Sequence, residues 1–230
     1  MTMNRSDGLE TRSKLLAAAG FEFAAKGYHD AKTADICRIA NANVAAVHYH
    51  FRSKEQLYAE AWRTAFEQSI RMYPPDGGIP ESAPAEDRLR GQIDALVRRI
   101  MDPDSIDFDI AHKEMASPTG LLAEVMHRSF DPLHQRFTEV IRDLLGKSAS
   151  DKLVHLCAMS VHAQCSLPLM FERQRKNCMA NDKFPGPPPL DIEVDALTDH
   201  VFRFSLAGIR ALRAQPARQK RRKTTRKSRV

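Results

Sequence analysis

Long apolar runs are missing from this chain. No stretch of 18 apolar residues occurs in its 230 residues, so nothing reads as a membrane span. Strict apolar/polar alternation is missing too, which removes the pattern of a half-buried strand. Cysteine is sparse: the four residues, at 37, 157, 165 and 178, form no C-x-x-C pair. That usage predicts reduced thiols, not a disulfide scaffold or a zinc ribbon. No glycine-rich phosphate loop and no Ser-His-Asp arrangement stands out, so no enzyme, catalytic residue, metal or cofactor is expected. Met1 to Glu10 is polar and lacks the apolar segment of a secretory signal, so the chain is expected in the cytoplasm.

What is present is a helical protein with an uneven charge. Hydrophobic residues make up 43% of the chain, enough for a packed core in one large or two modest domains. The net charge is +6, yet eight Lys or Arg and no acid lie between Arg218 and Arg229. Without those eight the rest of the chain stands at −2, so the basic balance belongs to the tail. The tail, low in apolar residues, is expected to be disordered.

Helical periodicity runs nearly throughout. Thr11 is the expected N-cap of a first helix carrying Leu15, Leu16, Ala19 and Phe23 on one stripe, with Gly27 as its stop. Thr33 is placed to cap a second short helix that turns Ile36 and Ala40 inward. Asn41 stands where the turn needs positive φ, which Asn tolerates. Val44 and Val47 are expected to anchor a third short helix. Ser53-Lys54-Glu55-Gln56 reads as a capping box opening a long helix through Leu57, Trp62, Phe66 and Ile70, ended by Pro74-Pro75. Residues 74–85 are the best linker candidate. Further helices are expected near 86–101, 106–115, 119–145, 151–176 and 192–214, with Pro132 and Pro168 marking kinks or breaks and 181–190 a loop.

Two short helices around a polar turn, ending in Tyr49-His50-Phe51, suit a helix-turn-helix whose second helix enters the major groove. Its outward residues Asn43, Ala45, Ala46 and His48 are the candidates for base contacts: Asn pairs with adenine, Ala meets a thymine methyl, and His donates or accepts. Lys32, Thr33, Tyr49 and Lys54 are the candidates for phosphate contacts. No Arg on this helix is available for guanine, so DNA shape is expected to contribute.

Thr33, Ile36, Ala40, Tyr49, His50, Phe51, Ser53, Lys54, Glu55 and Leu57 resemble, in order and spacing, the pattern of the TetR family of transcriptional regulators. The likeness covers residues 11–66. Asn41 stands where the family usually has a turn Gly, Ala42 for a Val, His48 for a common Tyr or Asn, and Cys37 for a common Ala. An operator sequence therefore does not transfer from a relative. Residues 43–47, 114–119 and 160–165 resemble a CerR-type C-terminal domain. Together these resemblances imply an all-α protein: a three-helix DNA-binding domain over 1–52, a helical ligand-binding and dimerisation domain over 53–215 reached through a long helix, and a basic tail over 216–230. They also imply a homodimer built on the last two long helices, and a repressor released from double-stranded operator DNA by a small-molecule effector.

The second half holds the ligand-pocket candidates: apolar Met115, Met126, Phe130 and Phe137, with His112, His134, His162 and Gln164 as polar groups. His155, His162 and Cys165 share roughly one helix face, but only His162 and Cys165 have close ligand spacing, so a packed polar patch is favoured over a metal site. The alternative function is a nonspecific DNA-compacting protein driven by the basic tail.

Overall fold

The structure, a computed structural model, describes residues 5–178 and 191–214. The expected loop at 181–190 and the basic tail at 216–230 lie outside the described residues. Among those residues the chain is helical without strands: α1 (Arg5–Asp30), α2 (Thr33–Ile39), α3 (Val44–Phe51), α4 (Lys54–Met72), α5 (Ala85–Met101), α6 (Asp107–Ala116), α7 (Ala123–Leu145), α8 (Asp151–Cys178) and α9 (Val194–Arg213). The chain divides into two compact units. One comprises the residues up to Tyr73 together with Asp102–Pro132; the other comprises Pro74–Met101 and the chain from Leu133 onward.

In the first unit α1 packs against α2, α3, α4 and α6, and α4 packs against α3 and α6. Leu15, Ala19 and Phe23 of α1 are fully buried, as the stripe predicts. Leu57, Tyr58, Ala61, Trp62, Ala65 and Phe66 form the buried face of α4. Each large apolar side chain so buried contributes about 1.5–3 kcal/mol. Tyr58 meets Phe23 edge-on at 4.7 Å, and Trp62 stacks on Phe66 at 5.0 Å. Phe130, two turns into α7, closes on both from the side, 5.6 Å from Trp62 and 5.3 Å from Phe66.

The Glu114 carboxylate is the polar hub of this unit. It is buried and accepts from the Tyr58 hydroxyl at 3.1 Å, the Thr119 amide at 3.0 Å, the Thr119 hydroxyl at 2.9 Å and the Gly120 amide at 2.9 Å. One side chain thereby ties α4 to the turn between α6 and α7.

In the second unit α5 is clasped by α8 and α9. Leu89, Ile93 and Val97 are fully buried on α5, and Val154, Val161 and Cys165 on α8, with Val201 and Ile209 on α9. Exposed ion pairs line the seam, among them Arg98–Asp195 at 2.6 Å and Arg210–Glu86 at 2.6 Å. Such pairs are worth about 0–1 kcal/mol each, so the apolar face carries the packing.

Several expectations change. α1 begins before Thr11, whose hydroxyl donates to the Asp7 carbonyl at 2.8 Å inside the helix; Thr11 is not its N-cap. Thr33 is the first helical residue of α2, and the cap position is Lys32, which makes no side-chain cap bond. Val44 is 46% exposed and does not anchor α3; Val47 and Phe51 do. α7 and α8 run through Pro132 and Pro168, which excludes the break, one of the two expected outcomes, at either proline. The 74–85 segment is a series of tight turns held to α5. Gly77, with φ +63°, lies so near the Gly91 carbonyl oxygen that an added Cβ would sit 2.4 Å from it.

Candidate nucleic-acid interface

The corner between α2 and α3 is built by Asn41, whose φ of +50° reverses the chain. The Ala42 amide donates to the Cys37 carbonyl at 2.9 Å, and the Asn41 amide to the Arg38 carbonyl at 3.3 Å. Asn43 then caps α3: its Oδ1 accepts from the Ala46 amide at 2.8 Å. The cap occupies one of the two lone pairs on that oxygen, and the Asn43 amide NH₂ remains a donor. With Val47 and Phe51 facing the core, Asn43, Ala45, His48 and Tyr49 are exposed and Ala46 is half-buried. Tyr49 is the extreme, at 76% exposure. An eight-residue helix that buries two apolar side chains and leaves a row of small and polar ones outward has the form required to enter a groove. A shallow groove of about 400 Å³, lined by Thr11, Asn41, Asn43, Ala46, Tyr49 and His50, runs along it.

α3 passes to α4 through Arg52 and the cap residue Ser53. Arg52 has φ +62° and ψ −42°, and the Ser53 amide donates across it to the Phe51 carbonyl at 2.7 Å, a γ-turn. The Ser53 hydroxyl accepts from the Gln56 amide at 3.3 Å and caps α4, which is one half of the expected capping box; the Ser53 amide is bonded to the Phe51 carbonyl instead of to the Gln56 side chain. Lys54 is turned inward. Its ammonium donates to the Tyr28 carbonyl at 2.6 Å and sits 4.4 Å from the Tyr28 ring centroid, so its charge serves a clamp between α1 and α4. Burial lowers its basicity.

The Tyr28 hydroxyl donates in turn to Glu55 at 2.8 Å. The Ser53 hydroxyl, Glu55's own amide and the Tyr28 hydroxyl together pull the Glu55 carboxyl down to about 2. Burial, and then the neighbouring Arg12 cation, lower the basicity of His50.

Lys32 is exposed and Thr33 half-buried at the start of α2, where Asp35 adds an acid paired with Lys26 at 3.6 Å and Arg38 at 3.5 Å. Two residues not expected at the interface now adjoin it. Arg12 lies 5.2 Å from the Phe51 ring centroid and pairs with Glu60, and Thr11 borders the groove. Neither carries a sequence signal, because both reach α3 only through the packing of α1.

The ligand-pocket candidates divide between the units. In the first, His112 and Met126 are half-buried, Met115 is exposed, and Phe130 packs on Trp62 and Phe66 while remaining 37% exposed. In the second, Phe137 is half-buried and His134 stacks on His155 at 5.3 Å. His162 is held below the usual imidazole range by desolvation, then by Arg99 and His134. Gln164 donates to Ser160 and Ser205. Burial pushes the Cys165 thiol up to about 12, so it is no nucleophile. No cluster with metal-holding geometry occurs among the described residues.

Residues 15–61 match the N-terminal domain of bacterial regulatory proteins of the tetR family. Residues 85–209 match the C-terminal domain of the HTH-type transcriptional dual regulator CecR, so the C-terminal domain is CecR-type and not CerR-type. The chain is 26% identical over 156 residues to the HTH-type transcriptional dual regulator CecR of Shigella flexneri, covering 63% of this chain and 69% of that protein. It is 41% identical over 56 residues to the HTH-type transcriptional regulator YdgC of Bacillus subtilis (strain 168), covering 24% of this chain and 29% of that protein. In fold it is similar to a TetR-like transcriptional regulator from Rhodococcus sp. RHA1 (TM-score 0.64, 16% identity, 90% of this chain and 98% of that one). It is likewise similar to the fatty acid degradation regulator FadR from Bacillus halodurans (TM-score 0.64, 14% identity, 87% and 96%).

Proposed function

The chain belongs to the TetR family of DNA-binding transcriptional regulators, with a CecR-type C-terminal domain, and from that premise we propose that it is a homodimeric repressor released from its operator by a small molecule. The observation that carries the reading is the outward row of α3, with Val47 and Phe51 fixing its back. Asn43, Ala45, Ala46 and His48 meet base edges; Lys32, Thr33 and Tyr49 meet phosphates. Lys54 acts at one remove, as the clamp that sets α4 against α1. The domain plan is a DNA-binding part over 1–52, a regulatory part over 53–215 and a basic tail over 216–230.

Dimerisation is supported by apolar side chains left outward on α8 and α9: Leu156, Met159 and Leu167 on one, Phe204 and Leu212 on the other. α8 is also long and apolar enough to cross a membrane, with a mean hydropathy of 1.3 over its best window. Its outward face nevertheless includes Lys152 and His155, which suits a second protein surface better than lipid. Two-fold symmetry sets paired recognition helices about 34–36 Å apart, one turn of DNA.

Effector binding is assigned to the candidates of each unit taken by itself: His112, Met115, Met126 and Phe130 in the first, and His134, Phe137, His162 and Gln164 in the second. Phe130 supports this, because it joins the aromatic face of α4 and still exposes part of its ring. A ligand that favours one dimer geometry by about 1–3 kcal/mol changes operator affinity roughly 5–150-fold. The site of action is the cytoplasm, where the chromosome lies. Activation is a second reading, favoured by the Shigella relative's name as a dual regulator. The direction of change of a reporter on deleting the protein separates the two.

Sedimentation tests the dimer. The full chain should run as a dimer and place two chains on one duplex, and the pair Leu156→Glu, Phe204→Glu should give folded monomers without operator binding. A wild-type monomer that binds a single site as one chain would refute the reading. Removing residues 217–230 tests the compaction alternative: binding to one preferred sequence should survive.

A further inference from the structure

Resting on the reading of α3 as the recognition helix, we propose that His48 determines sequence by accepting a hydrogen bond at Nε2 from an exocyclic amino group, adenine N6 or cytosine N4. The exposed imidazole is not free to choose its tautomer. Its Nδ1 lies 3.0 Å from the Arg52 carbonyl oxygen. A carbonyl only accepts, so Nδ1 carries the hydrogen, and a neutral imidazole then has a bare, accepting Nε2.

The contact is built by backbone as well as side chain. The Arg52 amide donates to the His48 carbonyl at 3.1 Å, while the Arg52 carbonyl receives the His48 ring. That reciprocal pair exists because the γ-turn at Arg52 holds a non-glycine residue at φ +62°. Such a conformation persists only where the surroundings over-determine it. Here Phe51 is buried on one side and Ser53 caps α4 on the other, which fixes both ends of the turn.

The rest of α3 narrows the readout. Asn43 gives one lone pair of its oxygen to the Ala46 amide and keeps its NH₂ as a donor. Ala45, exposed between the two, offers a methyl. The helix therefore displays donor, methyl and acceptor in order, and His48 is the acceptor. In the major groove only adenine and cytosine offer a donor; guanine N7 and O6 and thymine O4 would set lone pair against lone pair at Nε2. The expected preference is therefore A or C at one position of each half-site, and exclusion of G and T there.

Base analogues test this on the operator half-site, with binding of the full chain measured near pH 8, above the ordinary imidazole range. Each adenine is replaced in turn by purine lacking the 6-amino group, and each cytosine by pyrimidinone lacking the 4-amino group. One such replacement should weaken wild type by about 3- to 10-fold, the worth of one neutral hydrogen bond. The same replacement should leave His48→Ala and His48→Phe unchanged, the second keeping the ring without its nitrogens. Equal losses in wild type and both variants at every position would overturn the inference while leaving operator binding intact. So would a His48-dependent position that responds to 7-deazaguanine, since it would show Nε2 donating to guanine. A chain that selects no sequence from random DNA would overturn the parent reading and this inference together.

Discussion

Replacing Glu114 by alanine should be among the most damaging single changes in the first compact unit. The carboxylate accepts from Tyr58, from the amide and hydroxyl of Thr119, and from the Gly120 amide. Thr119 is half-buried and Gly120 exposed, so water can replace part of what they lose. Tyr58 is 1% exposed, so its hydroxyl has no such recourse. Stranding it costs about 1–3 kcal/mol, and loss of the charge-assisted bonds around the turn brings the total to about 3–5 kcal/mol. At about 2–4 °C per kcal/mol for a chain of this size, the melting temperature should fall by about 6–20 °C.

Tyr58→Phe removes the donor that would be stranded, and alone should cost about 1–2 kcal/mol. The double variant should therefore be less unstable than the sum of the singles by about 1–3 kcal/mol. The assay is thermal unfolding followed by circular dichroism at one fixed protein concentration, because the midpoint of any chain that associates depends on concentration. A Glu114→Ala midpoint within 2 °C of wild type, or strict additivity with Tyr58→Phe, would refute the hub.

Other outcomes follow from the same contacts. Asn43→Asp keeps an oxygen for the Ala46 amide, so its melting temperature should match wild type, while a carboxylate facing DNA should weaken binding to every sequence; unchanged DNA affinity would remove Asn43 from the interface. Gly77→Ala forces positive φ on a side chain and drives its Cβ to 2.4 Å from the Gly91 oxygen, so denaturant unfolding should show a loss of about 2–4 kcal/mol. Glu55 is held at about 2 when folded and titrates near 4.5 when unfolded, so its stabilisation is complete above pH 4.5 and lost as pH falls towards 2. Glu55→Gln should flatten the midpoint against pH across that window, and parallel curves for variant and wild type would contradict the assignment.

The helices were legible because apolar stripes recur at helical spacing, and the turn because Asn41 tolerates positive φ. The outward row of α3 was legible for the same reason, since Val47 and Phe51 mark its inner face. What stayed hidden depends on long-range packing. Thr11 looks like a cap in sequence, yet α1 runs past it. Lys54 looks like a phosphate donor until the Tyr28 carbonyl, 26 residues earlier, arrives to hold it. Arg52 gives no sign of a γ-turn, because β-turn and cap signals describe commoner geometries. Asn43 lies at the surface as its polar character suggests, and its oxygen also caps α3.

The most direct test is to incubate the full chain with a pool of random duplexes and sequence those retained. The account predicts two copies of one half-site in inverted orientation, centred about one helical turn apart, with the motif degraded at one position per half-site in His48→Ala. A retained pool with no enriched motif, or a single unrepeated site, would contradict the claim that α3 reads DNA as one of a two-fold pair.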